Sequence, residues 1–210
     1  MGDITEMGAV RSDDGRLRCP WAGSRAEYQA YHDAEWGRPV VDDVRIYEKL
    51  CLEGFQSGLS WLTILRKREG FRRAFAGFEP EKVAAFDDGD ITRLLCDAGI
   101  VRHRGKIEAA IANARATLAV QADRGSLAAL VWGYEPARRG RAVPLKLGDL
   151  PPQTAESVAL SKALRRYGFR FVGPTTAYAA MQSLGLVNDH LRGCHVRAPC
   201  EEARRQITVP

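Results

Sequence analysis

The sequence predicts an all-α fold, and three observations predict it. Apolar residues recur at helical spacing from about Arg25 onward. Strand signals are confined to one run, RFVG near residue 170, which is too short to found a sheet. The 210 residues, 45% of them apolar, suffice for one hydrophobic core. That apolar content, beside 27% charged residues, excludes an intrinsically disordered chain. No run approaches the ~20 apolar residues of a membrane helix, so no membrane partner is expected. The opening MGDITEMGAVRSDDGRLR lacks the apolar centre of a signal peptide, so a cytoplasmic location is expected.

Residues 1–17 are polar and rich in Gly, Asp and Arg, and read as a mobile tail. Residues 18–198 then form a single helical domain, and 199–210 a C-terminal extension. Ile46, Leu50 and Glu53 fall at i, i+4, i+7 in a segment opened by Asp42-Asp43. Trp61, Ile64 and Leu65 begin a second helix that runs through Arg66-Lys67-Arg68. Ile91, Leu94, Leu95 and Ala98 form a stripe that Gly99 stops. Ile107, Ala110, Ile111, Ala114 and Leu118 form the next. Leu160, Ala163, Leu164 and Tyr167 form another, ended by Gly168, with Thr154 or Ser157 as its cap. Pro174 after Gly173 suits the first position of a further helix. The four prolines and three arginines of residues 135–153 read as a loop.

The net charge is +5, and only six of the 31 basic residues are Lys. Arginine forks suit phosphate, so the balance permits a nucleic-acid partner without demonstrating one. Five cysteines, an odd count in a chain of this size, argue against a disulfide scaffold.

Three clusters carry possible chemistry. Cys19 and His32 lie near the start, His190 and Cys194 near the end, the last two one helical turn apart. Two Cys and two His complete a tetrahedral zinc set. With no position left for water, such a site would be structural and would tie the chain ends together. The same residues also read as two buried cysteines and two core histidines, and His195 and Cys200 are rival ligands. Second, DAGIVRHRGKI (97–107) sets Arg102, Arg104 and Lys106 in a Gly-containing hairpin. The next helix starts near Gly105, so its free N–H groups would meet a phosphate; the alternative is an ordinary turn with solvated charges. Third, Glu53 shares a face with Ile46 and Leu50, and a carboxylate there needs a partner or a task. Trp21, Tyr28, Tyr31 and Trp36 precede it, and Gln56, Leu59 and Trp61 follow. Aromatic rings around a buried carboxylate suit a flat, electron-poor, hydrogen-bond-donating ring such as a cationic purine. The alternative is an aromatic core with Glu53 paired to an arginine.

Six ordered blocks resemble the DNA-3-methyladenine glycosylase I family: YHDAEWG (31–37), CLEGFQSGLSW (51–61), ILRKREGFRRAF (64–75), DAGIVRHRGKIEAAIANARA (97–116), KALRRYGFRFVGPTT (162–176) and LVNDHLRGC (186–194). The resemblance implies a helix–hairpin–helix glycosylase that excises 3-methyladenine from alkylated double-stranded DNA by flipping the base. It implies one structural Zn2+ per chain on Cys19, His32, His190 and Cys194, and a base-binding carboxylate at Glu53. It implies pocket aromatics at Tyr28, Tyr31 and Trp61, with Trp21 and Trp36 nearby, and a DNA-probing turn at Gln56–Leu59. Arg102, Arg104, Gly105 and Lys106 would grip the backbone. Phe55 stands where family members often have Gln, a departure that bears on DNA contacts.

Many helix–hairpin–helix glycosylases use an Asp after the hairpin. Asp123 is the nearest here, but its place at a helix end before Gly125 favours a surface role. No Lys stands out as a Schiff-base nucleophile, so a monofunctional enzyme without lyase activity is expected. It is expected to be monomeric and to need no organic cofactor. The alternatives are a zinc-stabilised DNA-binding module without catalysis and a glycosylase for another alkylated purine.

Overall fold

The computed structural model describes residues 8–210. Ten α-helices fill most of them: α1 (Ala26–Ala34), α2 (Asp43–Gln56), α3 (Trp61–Ala74), α4 (Pro80–Ala84), α5 (Asp88–Cys96), α6 (Arg104–Arg124), α7 (Leu127–Trp132), α8 (Ala155–Arg166), α9 (Pro174–Ser183) and α10 (Arg197–Gln206). Their starts follow the expected chemistry. The side chains of Asp42, Ser60, Asp87, His103, Ser126 and Thr154 each accept an N–H at a helix N-terminus, satisfying an otherwise orphaned donor. Thr154 is the cap of α8, and Ser157 completes a capping box with it. Pro174 occupies the first turn of α9. The α5 stripe stops earlier than its periodicity suggests: the helix ends at Cys96, and Ala98 lies in the turn beyond.

Helix α2 is the axis of the molecule. It packs against α3, α6, α7 and α9, and nine of its residues are buried. A helix apolar on most sides belongs in a core. Its first residue, Asp43, accepts the N–H groups of Leu127 (2.9 Å) and Ala128 (2.8 Å), which ties α7 to it. The turn between α5 and α6 is docked on α3. Lys67 Nζ donates to Ala98 O at 2.6 Å, and Gly70 approaches so closely that a Cβ there would lie 2.4 Å from Gly99 O.

Two expectations change, and the RFVG run founds no sheet, as expected. The tail of residues 1–17 is ordered where it is described. Val10–Arg11 (β1) and Leu17–Arg18 (β2) pair antiparallel, Val10 opposite Arg18, and Ala9 is fully buried. Residues 1–7 of that tail lie outside the described residues. The RFVG run is an irregular connection rather than a strand. Phe171 has φ +55°, Asn113 holds both the N–H and the C=O of Arg170, and Ser161 Oγ donates to Val172 O at 2.6 Å. The extension after 198 continues α10, whose Cys200 and Arg204 are buried, and Ile207 and Val209 pack on the main core. The loop at 135–153 holds only a single 3-10 turn, Leu147–Asp149. No helix among the described residues is long and apolar enough to cross a membrane.

Candidate functional site

Four of the predicted residues meet at the junction of the chain ends. Cys19 follows β2, His32 lies on α1, and His190 and Cys194 sit in the turns after α9. Their ligand atoms all lie within 4.8 Å of one another, and all four residues are buried. Cys194 Sγ is 3.4 Å from His32 Nε2 and 3.5 Å from His190 Nδ1, and Cys19 Sγ is 3.7 Å from His190 Nδ1. A tetrahedral zinc with ordinary Zn–S and Zn–N bonds sets its S and N ligands about 3.6 Å apart, so the donor set fits the ion. The far ring nitrogens are oriented as ligating imidazoles require. His32 Nδ1 meets Asp33 Oδ1 at 2.7 Å, and His190 Nε2 meets Trp36 O at 2.9 Å. The Cys194 thiol is pushed far down by a hydrogen bond from Cys19 and by the two histidines, whereas Cys19 is pushed far up by its neighbour Cys194. Cys19 thus keeps its proton and donates it to the Cys194 thiolate, and ionising both side by side would need a cation to share. Gly37 opens this site: its φ is +80°, and a Cβ would sit 3.0 Å from His190 Nε2. The rival Cys200 reaches only Trp36 O, at 3.9 Å, and His195 pairs with Asp33 at 3.1 Å beside the cluster.

Aromatic rings link this cluster to a second feature. Trp21 stands edge-on to His32 (5.1 Å between centroids) and to Trp36 (5.0 Å), and Trp36 stands edge-on to His190 (4.7 Å). On their other side lies a cavity of about 310 Å3 lined by Trp21, Tyr28, Tyr31, Trp36, Glu53 and Trp61. Gln56, Leu150, Ala179 and Gln182 complete its wall. Tyr31 and Trp61 have centroids 5.4 Å apart, and the Tyr28 hydroxyl accepts the Leu62 N–H at 3.1 Å.

Two polar groups of the cavity's lining residues are unmet. Glu53 is 6% exposed, and no donor among the described residues hydrogen-bonds its carboxylate. Trp61 Nε1 is buried without an acceptor. Burial pushes the Glu53 carboxyl up to about 7, against the pull of Lys49 one helical turn earlier. Lys49 is in turn pushed down to about 8 by burial. Its ammonium donates to the Tyr31 hydroxyl at 2.9 Å and lies 4.6 Å from the Tyr31 ring centre and 4.9 Å from that of Trp61. The residue near Glu53 is therefore a lysine, where an arginine stands in the alternative reading of the sequence. Lys49, Leu150, Ala179 and Gln182 escape sequence reasoning. Only Lys49 has a local signal, its i, i+4 spacing to Glu53.

At the mouth, Gln56, Ser57, Gly58 and Leu59 form a tight turn closed by the Leu59 N–H on Gln56 O at 2.7 Å. Gly58 takes φ +81°, and Leu59 is 40% exposed. The basic hairpin is smaller than expected. Arg102 and Arg104 are exposed and Gly105 is half-buried. Lys106 is buried, and its ammonium donates to Phe55 O (2.9 Å) and Ser57 O (2.6 Å). It closes the C-terminus of α2, where helix carbonyls lack partners, and is not free for a phosphate. Phe55 is fully buried against Phe71 and Phe75, so this departure is a core residue. Asp123 is exposed and bonds Arg124 and Tyr167, which leaves it on the surface as expected.

Comparison with known proteins covers nearly all of these elements. A family model described as methyladenine glycosylase matches residues 21–198. DNA-3-methyladenine glycosylase 1 of Escherichia coli (strain K12) is 48% identical over 177 residues, 84% of this chain and 95% of that protein. A crystal structure of 3-methyladenine DNA glycosylase I superposes with a TM-score of 0.81 at 47% identity, covering 85% of this chain and 98% of the other. A variant of 3-methyladenine DNA glycosylase I in complex with 3-methyladenine superposes at 0.79 with 36% identity, over 86% and 97% of the two chains.

Proposed function

The chain belongs to the methyladenine glycosylase family, and on that premise we propose that it hydrolyses the N-glycosidic bond of 3-methyladenine in alkylated double-stranded DNA. One observation carries the reading: Glu53, buried without a hydrogen-bond donor, in a cavity walled by aromatic rings. A buried carboxylate without a donor is costly, and a cationic purine with an amino group supplies the missing donor and adds a second positive charge to that of Lys49.

Methylation at N3 places positive charge on the base and weakens its bond to the sugar, so the leaving group needs little assistance. The enzyme's task is to extract the nucleotide, at a cost of a few kcal/mol, and to hold the base. Leu59, exposed at the turn tip, fills the vacated space. Arg102, Arg104 and the first N–H groups of α6, at Arg104 and Gly105, hold backbone phosphates. Gln56 lies between turn and cavity and probes the gap. Lys106 fixes the turn to the hairpin through Phe55 and Ser57. Inside, Glu53 accepts from the adenine edge, Tyr31 and Trp61 stack on the ring, and Tyr28, Trp21 and Trp36 shape the walls. The C1′–N9 bond breaks, water adds to C1′ and loses a proton to solvent, and neutral 3-methyladenine leaves. The reaction uses no Schiff base and leaves the strand uncut.

The fold we assign is the helix–hairpin–helix glycosylase type, with α5 and α6 as the hairpin pair. Cys19, His32, His190 and Cys194 would hold a Zn2+ ion, which when bound supplies a covalent-strength tie between the chain ends and no reacting group. All pocket residues come from one chain, so a monomer suffices. Incubation with methylated duplex DNA, followed by chromatography of the released bases, tests the proposal. Free 3-methyladenine is expected, and its absence, with the DNA bound but unchanged, would leave only a binding module.

A further inference from the structure

Gln182 belongs to the wall of the aromatic cavity and stands one turn after Tyr178 on α9. Its Nε2 donates to Asp189 Oδ2 at 2.8 Å. Asp189 is 1% exposed and receives two further donors, the Tyr178 hydroxyl on Oδ2 (2.6 Å) and Arg141 Nη2 on Oδ1 (2.6 Å). As the carboxylate of the ion pair with Arg141, Asp189 can only accept.

The orientation of the Gln182 amide follows. Turned over, it would lose this bond and set its oxygen against a carboxylate. Oε1 is therefore the end turned away from Asp189. It has no donor among the described residues and is not sealed by protein. Asp189 does not line the aromatic cavity and Gln182 does, so the oxygen is the end left to the cavity. A free glutamine amide meets a donor or an acceptor equally well, by flipping. A locked one meets only a donor.

We infer that Gln182 is a specificity-determining residue of the base site, its Oε1 held as an acceptor for the amino group of a 6-aminopurine. The inference rests on the base site proposed above. An adenine-type base carries two N–H groups at that position, one for Glu53 and one for Gln182. A guanine- or hypoxanthine-type base carries an oxygen there, and the locked amide cannot turn Nε2 to meet it. That oxygen would be desolvated, unpaired and repelled by Oε1, so the wall rejects 6-oxo purines as well as accepting 6-amino ones. Asp189, Tyr178 and Arg141 act through Gln182 as positioning residues.

Free bases read this wall without the chemistry. Quenching of tryptophan fluorescence in the full-length protein, titrated with 3-methyladenine and with its 6-oxo counterpart 3-methylhypoxanthine, gives the two affinities and their ratio. The unsubstituted protein should prefer 3-methyladenine by roughly a hundredfold, a tenfold from each acceptor. Gln182→Met keeps the length of the side chain and removes the acceptor. It should bind 3-methyladenine roughly tenfold more weakly and 3-methylhypoxanthine no more weakly, so the preference falls roughly tenfold. Gln182→Ala should show the same narrowing. A merely structural role would weaken both bases alike. Equal weakening in both variants, an unchanged preference, or no binding of 3-methyladenine by the unsubstituted protein would overturn the inference. Release of 3-methyladenine from methylated DNA is measured alongside. Selective binding without release would leave this selectivity standing and remove the glycosylase reading, whereas release with an unchanged preference in the variants would do the reverse.

Discussion

Glu53 and Lys49 sit one turn apart on a helix with water on almost no side, so each sets the other's proton affinity. The raised Glu53 carboxyl binds a proton more tightly in the folded chain than in the unfolded one. Its contribution to stability is therefore full below about 4.5 and is lost as pH rises through about 7. The ionised form is the one that attracts a cationic base, so excision should rise with pH through about 7, and the limb should vanish in Glu53→Gln. Lys49→Met removes the charge that pulls the carboxyl down, so the same limb should move to higher pH. A pH–rate profile of base release reads both. Glu53 and the aromatics around it are legible in the sequence because they lie in two short segments with helical spacing. Lys49 is not, because a lysine near a carboxylate is usually a solvated surface pair, and only the packing turns it inward. Lys106 shows the converse. A basic cluster in sequence looks like a phosphate grip, but burial had already assigned this ammonium to two carbonyls.

Helices α2, α3, α5, α6, α8 and α9 are foreshadowed by apolar stripes and capping residues. The elements that escape are those whose stability comes from long-range contacts. Strands β1 and β2 are two residues each and carry no periodicity; they are held where His195 N–H meets Leu17 O, close to the Cys/His cluster. Helix α10 carries charge on most of its surface and buries Cys200 and Arg204, so it reads as a polar extension. At this scale the α3 contact with the hairpin is a sharp test. Gly70→Ala drives a Cβ into the backbone of Gly99 and should cost about 2 kcal/mol, which calorimetry would read as a melting temperature lowered by several degrees. The probing turn gives a complementary test. Leu59→Ala removes an exposed side chain, so stability should stay within about 0.5 kcal/mol while excision falls roughly tenfold, as expected if Leu59 holds the gap open.

The whole molecule couples two ends of a chain to one pocket. Trp21 and Trp36 pack on His32 and His190 and also wall the aromatic cavity, so a metal at the Cys/His cluster would rigidify the base site without touching the base. Elemental analysis should find one zinc per chain. Cys194→Ala should lose it and melt roughly 10 °C lower, since the metal's binding free energy is folding free energy. Unchanged metal content would point to a different ligand set.

The proposed recognition of the lesion rests on an ionised Glu53 in an aromatic pocket. The most direct measurement sets two quantities side by side for Glu53→Gln: release of 3-methyladenine from methylated DNA, and affinity for undamaged duplex at fixed salt. The charge-assisted contact is worth about 1.5–3 kcal/mol, so release should fall roughly tenfold to a hundredfold while duplex affinity stays within about twofold. Equal losses in both, or release as fast as in the unsubstituted protein, would contradict a recognition role for Glu53.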